Sequence, residues 1–251
     1  MTDLERVIGF HRFLEECCCD RIFPAQIATA LLNSSIPLVY DRNYVRVEYE
    51  SANAGELASL TDRLLGAAGL SHRKIVCEQS ETGERLAPQF ERLGWTIQKL
   101  LVMVHTGIVE EEPIPLVAEL EPVSMLPFWS EDNRNWHPDN EELARQLTQE
   151  HALAADCVDT RFFGRREDGR LVSACDLYLR GGAAQVEHVA TLPDYRNRGL
   201  ASSIVRRAIA EAKRSGHDLV WLLADESDWP KALYARLGFT PLARFYAFVK
   251  T

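Results

Sequence analysis

Val189-Ala190-Thr191-Leu192-Pro193-Asp194-Tyr195-Arg196-Asn197-Arg198-Gly199-Leu200-Ala201-Ser202 is the stretch that decides the fold. A strand leads into it, because residues 186–191 are rich in β-branched side chains. Pro193 has no N–H to donate to a ladder, so the strand ends there. A short basic loop follows. Leu200, Ile204, Val205, Ala208, Ile209 and Ala212 then recur at helical spacing, which predicts a helix over 200–214. The first N–H groups of a helix have no acceptor inside it. Together with the helix dipole they attract an anion. Gly199 and the small Ala201 allow the backbone to approach a ligand closely, and Arg196 and Arg198 add two positive charges. Strand, basic glycine turn and helix N-terminus together read as a cradle for a pyrophosphate.

Three segments carry a family resemblance. Arg196-Asn197-Arg198-Gly199-Leu200-Ala201 resembles the Arg/Gln-x-x-Gly-x-Gly/Ala signature of GCN5-related N-acetyltransferases (GNAT). Val189-Ala190-Thr191 resembles the family's strand that pairs with pantetheine, and Leu233-Tyr234-Ala235-Arg236-Leu237-Gly238-Phe239 resembles its later helix. The resemblance implies an α/β (α+β) fold with a mixed, mostly antiparallel central sheet flanked by helices. It implies acetyl-CoA as co-substrate, bound by Val189, Ala190, Thr191, Arg196, Asn197, Arg198, Gly199, Leu200, Ala201 and Ser202. It also implies Tyr234 as the group that protonates the departing thiolate.

The base is a separate question. Strand alternation places Gln185, Glu187, Val189 and Thr191 on one face and His188 on the other. In arylalkylamine acetyltransferases of this family, histidines on the equivalent strand face serve a base relay, and here Glu187 falls on that face. Glu187 is therefore the expected base. The strand around Trp221-Leu222-Leu223-Ala224 lacks the glutamate that some relatives carry. Asp228 lies near the position of the family's pantetheine-binding Asn, but Asp228-Trp229-Pro230 reads more simply as a helix start. By analogy with the family's first helices, Trp129, Arg134, Trp136 and His137 are expected around the acceptor.

The chain has 251 residues, 46% of them hydrophobic, enough to pack one large domain or two small ones. No apolar run is long enough to span a membrane, and Met1-Thr2-Asp3-Leu4-Glu5 does not resemble a signal peptide. The six cysteines, Cys17, Cys18, Cys19, Cys77, Cys157 and Cys175, show neither a disulfide framework nor metal-ligand spacing. They are expected to be free thiols in a reducing cytoplasm, with no metal at the site. A net charge of −9 argues against nonspecific nucleic-acid binding. The expected partner is a small-molecule or peptide amine, and a homodimer is compatible with the sequence.

In chain order, the patterns predict helices over 4–18 and 24–32, strand segments within 39–49, a helix over 55–68, a strand at 74–77, a helix over 83–93 and a strand over 100–105. The acidic, proline-containing residues 110–115 read as a linker. Beyond it come a strand at 116–120, helices over 124–136 and 139–155, a strand from 162, and a turn at 167–170. Strands at 171–179 and 185–191 and the helix over 200–214 follow. A strand at 219–223, a helix over 229–236 and a strand over 245–250 complete the chain. Subtracting 144 from the second half's numbers overlays it on the first without a gap over about residues 35–105. Gly199 falls on Gly55, and Arg236-Leu237-Gly238-Phe239-Thr240 falls on Arg92-Leu93-Gly94-Trp95-Thr96. The chain reads as two tandem units: residues 1–112, truncated and degenerate, and residues 113–251, the acetyl-CoA-binding domain. In the first unit Arg196 and Arg198 become Ala52 and Ala54, Leu200 becomes Glu56, and Tyr234 becomes Phe90.

The expected reaction is direct transfer of an acetyl group from acetyl-CoA to a primary amine in a ternary complex. An alkylammonium costs about 4 to 5 kcal/mol to deprotonate at pH 7, so a proton acceptor matters. The competing reading is a non-catalytic acyl-CoA-binding regulatory or interaction module. Leu100-Leu101-Val102-Met103-Val104 lacks the alternation of a one-sided strand and is expected to be covered on both faces, by pairing or packing with the equally apolar 245–249.

Overall fold

The structure is a computed structural model that describes residues 1–108 and 116–251. The expected linker at 110–115 lies outside the described residues. The first half runs α1 (Asp3–Cys17), β1 (Arg21–Pro24), β2 (Ala28–Leu32), a 3-10 turn at Tyr40–Arg42, β3 (Tyr44–Val47), α2 (Ala54–Ala67), β4 (Arg73–Cys77), α3 (Ser80–Arg92) and β5 (Thr96–His105). The second half runs β6 (Val117–Leu120), α4 (Pro122–Trp136), α5 (Glu141–Cys157), β7 (Asp159–Glu167), β8 (Arg170–Arg180) and β9 (Ala183–Thr191). A 3-10 turn at Pro193–Tyr195, α6 (Leu200–Arg214), β10 (Leu219–Asp225), α7 (Pro230–Arg236) and β11 (Phe239–Lys250) complete it.

One element differs in kind from the expectation. The alanine-rich stretch read as a helix over 24–32 forms β2 instead, all five residues buried. It pairs with β1 on one side and β3 on the other. Ala28, Ala30 and Leu32 pack toward α2, so burial between two neighbouring strands overrides the helical preference of alanine.

Among the described residues, eleven strands form a single sheet in the order β1-β2-β3-β4-β11-β5-β10-β9-β8-β7-β6. The offset of 144 residues is visible in it: β3, α2, β4, α3 and β5 correspond to β9, α6, β10, α7 and β11. The last strands of the two halves are exchanged. β11 lies antiparallel to β4, where correspondence would place β5, and β5 lies antiparallel to β10, where correspondence would place β11. The exchanged strands pair with each other from Phe239↔His105 to Val249↔Thr96. This pairing buries the two apolar runs together. Leu101 and Met103 face the core under α6, while Val102 and Val104 face the core under α1, so β5 is covered on both faces as its pattern demands.

α2, α3, α6 and α7 cover one face of the sheet; α1, α4 and α5 cover the other. Two features fasten the halves on the α1/α5 face. Arg42 is buried between Glu15 of α1, at 2.6 Å, and Glu150 of α5, at 2.8 Å. The C-termini of α1 and α5 meet closely enough for Cys17 and Cys157 to be joined in a disulfide, with Cα atoms 5.9 Å apart. This corrects the expectation of six free thiols; Cys18, Cys19, Cys77 and Cys175 are free.

Candidate active site

The site lies where β9 and β10 part. These parallel strands pair only at Leu219↔Ala183, Val220↔Ala184 and Trp221↔Gln185, although β9 runs on to Thr191 and β10 to Asp225. Residues 187–191, along the open edge, are all partly accessible. The cause is a bulge. β8 and β9 pair at Asp176↔Glu187 and again at Ala174↔Ala190, leaving two residues of β9 opposite one of β8. His188 takes the strain with φ of +50°, a conformation uncommon for a residue with a Cβ.

The bulge corrects the expected faces. Glu187 and His188 both face α5, and Val189 packs on the opposite face with the core under α6. Alternation separates Glu187 from His188 only in a regular ladder. Around them the structure assembles a polar cluster from three elements. His151 of α5 places Nδ1 2.9 Å from Asp176 Oδ2 of β8. Its ring is stacked on Trp129 of α4 and lies 4.1 Å from the His188 ring, centroid to centroid. The Tyr178 hydroxyl donates to Asp176 Oδ2 at 3.3 Å, and Gln185 Nε2 donates to Glu187 Oε2 at 2.6 Å. Burial raises the carboxyl of Glu187 to about 8 and that of Asp176 to about 7. Burial lowers both His151 and His188 to about 3, leaving the imidazoles neutral. His151, Asp176 and His188 offer one ligand atom each within 4.8 Å of one another, a geometry a metal ion could use. The His151–Asp176 hydrogen bond already occupies part of that donor set.

Tyr234 reaches the opening from the other face of the sheet. It is buried against Phe239, with ring centroids 6.0 Å apart. Its phenol is raised above the ordinary tyrosine value, first by burial and then by the charge of Glu187.

The loop after β9 makes a glycine turn into α6. Gly199 sits at φ +75°, the left-handed region, and α6 begins with no side-chain cap. The N–H groups of its first turn therefore remain available to an anion. Arg196 Nε donates to Thr191 O at 3.0 Å and its guanidinium lies over Trp136. Arg198 Nη2 donates to Asp194 O at 2.8 Å, and its Nη1 lies 3.2 Å from Glu167. The same position in the first half is closed. Asn53 Oδ1 accepts from Glu56 N at 3.0 Å and Gln89 Oε1 accepts from Ala54 N at 3.2 Å, so α2 begins with its donors occupied. Phe90 stacks on Phe248 where the second half has Tyr234.

Of the four residues expected around an acceptor, Trp129 joins the cluster and Trp136 lies over Arg196 instead. Arg134 lines an outer groove between α4 and α5, and His137 caps the end of α4. Asp228 accepts the Trp229 N–H at 2.7 Å at the start of α7. Asp176 and His151 escaped the sequence reading. The available signal was a lone charge in an apolar strand, Ala174-Cys175-Asp176-Leu177-Tyr178.

No curated protein matches the chain. Among solved structures, a putative acetyltransferase of the GNAT family from Novosphingobium aromaticivorans is 26% identical over 61% of this chain and 64% of its own, slightly under two thirds of its length, with a TM-score of 0.47. A GCN5-related N-acetyltransferase from Kribbella flavida is 18% identical but is matched over 97% of this chain and 94% of its own, with a TM-score of 0.67. A tandem GNAT protein from the clavulanic acid biosynthesis pathway is 15% identical over 89% of this chain and 78% of its own, at a TM-score of 0.56. The latter two show the fold along nearly the whole chain. Residues 124–239, which hold the bulged strand, the glycine loop and Tyr234, match the model of the acetyltransferase (GNAT) family.

Proposed function

We propose that the chain transfers an acetyl group from acetyl-CoA, the co-substrate of its family, to a primary amine by direct attack in a ternary complex. The observation that carries this reading is the gap between β9 and β10, which opens beside the uncapped N-terminus of α6. The 196–202 loop and the first turn of α6 hold the pyrophosphate. The backbone of residues 189–191, free on the β10 side, pairs with the pantetheine arm. The thioester then lies in the gap between Glu187 on one face and Tyr234 on the other.

The amine nitrogen loses a proton to Glu187 and its lone pair attacks the carbonyl carbon. The C–S bond breaks, the thiolate takes the Tyr234 phenolic proton, and the second N–H proton, lost as the amide forms, restores the phenol. A bound ammonium favours ionised Glu187, offsetting the burial that raises it. The first unit, residues 1–112, binds no coenzyme in this reading and serves to complete the sheet and the α1/α5 face.

Thiol release from acetyl-CoA, measured against a panel of primary amines, tests the function. Tyr234→Phe removes one hydroxyl and copies Phe90. It is expected to keep acetyl-CoA affinity and to lower turnover by about 10² to 10⁴ when chemistry limits the rate. Coenzyme binding with no amine-dependent release would identify a binding module instead.

A further inference from the structure

We propose that Arg196 is a latch across the coenzyme's strand edge: in the free chain Trp136 and Asp132 of α4 hold it closed, and the pyrophosphate of the arriving coenzyme draws it open. The proposal rests on the acetyl-transfer reading for its ligand and on the backbone of β9 for its geometry. β10 stops pairing with β9 at Trp221↔Gln185, so β10 does not lie beside Thr191. Ala190 O accepts from Ser173 Oγ of β8 at 2.8 Å, and Leu192 N–H donates to Val172 O of β8 at 2.9 Å. Backbone groups of successive strand residues point to opposite sides. The Thr191 carbonyl between them therefore faces the vacated edge, where a pantetheine amide would pair. That carbonyl is already taken, because Arg196 Nε donates to it at 3.0 Å. The edge is thus capped at its outer end by a side chain of the same loop that is to hold the pyrophosphate.

The end of α4 supplies the seat. Arg196 Cζ lies 5.5 Å from the centroid of the Trp136 ring, within cation–π reach. Trp136 is 62% exposed, so core packing does not explain its place. Asp132 lies one turn earlier on the same face of α4, with Oδ1 buried and unpartnered. Burial raises its carboxyl, and the charge of Arg196 draws it back. Arg198 is held by Glu167 and by Asp194 O, whereas the one hydrogen bond of Arg196 among the described residues is the bond to Thr191. Its two terminal nitrogens are therefore the handle that a phosphate can grip. A forked, charge-assisted bond to phosphate is stronger than one bond to a neutral carbonyl and an exposed ring contact. The anion takes the guanidinium, and the Thr191 carbonyl passes to a pantetheine N–H. The exchange makes and breaks only hydrogen bonds. A thioester that carries phosphates opens the edge, while a neutral thioester finds it capped, so the latch selects the anionic coenzyme. Trp136 and Asp132 are positioning residues that act through Arg196.

The full chain is used for the test, with CoA and phosphate-free pantetheine as probes at one ionic strength. Arg196→Ala is expected to move the two affinities in opposite directions. CoA should bind about tenfold more weakly, as the guanidinium–phosphate bond is lost. Pantetheine should bind about two- to five-fold more tightly, as the carbonyl is uncapped. Trp136→Ala should tighten both probes by about two- to five-fold, and Trp136→Phe, which keeps an aromatic face, should return most of the difference. Pantetheine affinity that falls, or stays as in wild type, in both alanine variants overturns the latch. A second measurement needs no stable variant. In chain labelled with ¹⁵N at arginine, the Arg196 Nε–H signal should carry the ring-current shift of Trp136 and lose it when CoA saturates the site. A chain that binds no CoA fails the acetyl-transfer reading and the latch with it. A chain that binds CoA and leaves the Arg196 signal unmoved fails the latch alone.

Discussion

Gly83→Ala tests the strand exchange by the sign of its effect. Gly83 lies inside α3 of the first half, and Tyr246 lies on β11 of the second. A Cβ on Gly83 would stand 2.5 Å from Tyr246 Cγ and 2.9 Å from Cε2, and closer still to Cδ2. The ring cannot swing away freely, since Tyr246 is only 2% exposed and belongs to the core that also holds Phe90 and Phe248. Two effects compete. Alanine in a helix interior gains about 1 kcal/mol over glycine. Forcing a methyl into a filled core costs about 1 to 3 kcal/mol, and a contact this close belongs at the upper end. The expected balance is a loss of about 2 kcal/mol, or about 4 to 8 °C in Tm for a chain of this size. In a Tyr246→Ala background the same substitution should be neutral or stabilising, by up to about 1 kcal/mol. Thermal and urea unfolding of the four proteins measures both. A higher Tm for Gly83→Ala alone would mean that Tyr246 does not sit under α3, and β11 would then not lie beside β4.

CoA titration is expected to give one site per chain, because Ala52 and Ala54 replace the arginines and the first turn of α2 is already capped. Gly199→Glu should abolish that site by bringing a carboxylate to the anion cradle and a side chain to a φ of +75°; two equivalent sites would contradict it. Stability should also respond to pH in a set direction. Glu187 and Asp176 have folded values of about 8 and 7, above their unfolded ones, so the folded state binds more protons between roughly pH 4 and 8. Their contribution is fully present below the unfolded values and is lost as pH rises through about 7 and then 8. Glu187→Gln should flatten this part of the stability profile; a profile unchanged by the substitution would remove Glu187 from the buried cluster.

The sequence by itself determined the features that depend on neighbours along the chain. The glycine turn before α6 was legible because Arg196, Arg198, Gly199 and the start of α6 are contiguous, and a helix N-terminus carries its unpaired donors wherever it is placed. The differences between the two halves at Ala52, Ala54, Glu56 and Phe90 were legible for the same reason. The burial of both faces of β5 followed from its unbroken apolar run. Other features required the tertiary structure. β5 and β11 carry similar apolar patterns, and such a pattern states that a strand is covered without naming its neighbour, so their exchange between β4 and β10 could not be read. Alternation assumes a regular ladder, and the bulge at His188 breaks it, turning Glu187 and His188 to the same face. Residues 24–32 were misread because their helix-favouring alanines are overruled by the strands on either side. Cys17 and Cys157 meet across 140 residues only because α1 and α5 pack end to end. Asp176, His151 and Glu187 come from a strand, a helix and another strand; their charges and hydrogen bonds act through space, and only the folded chain fixes those distances.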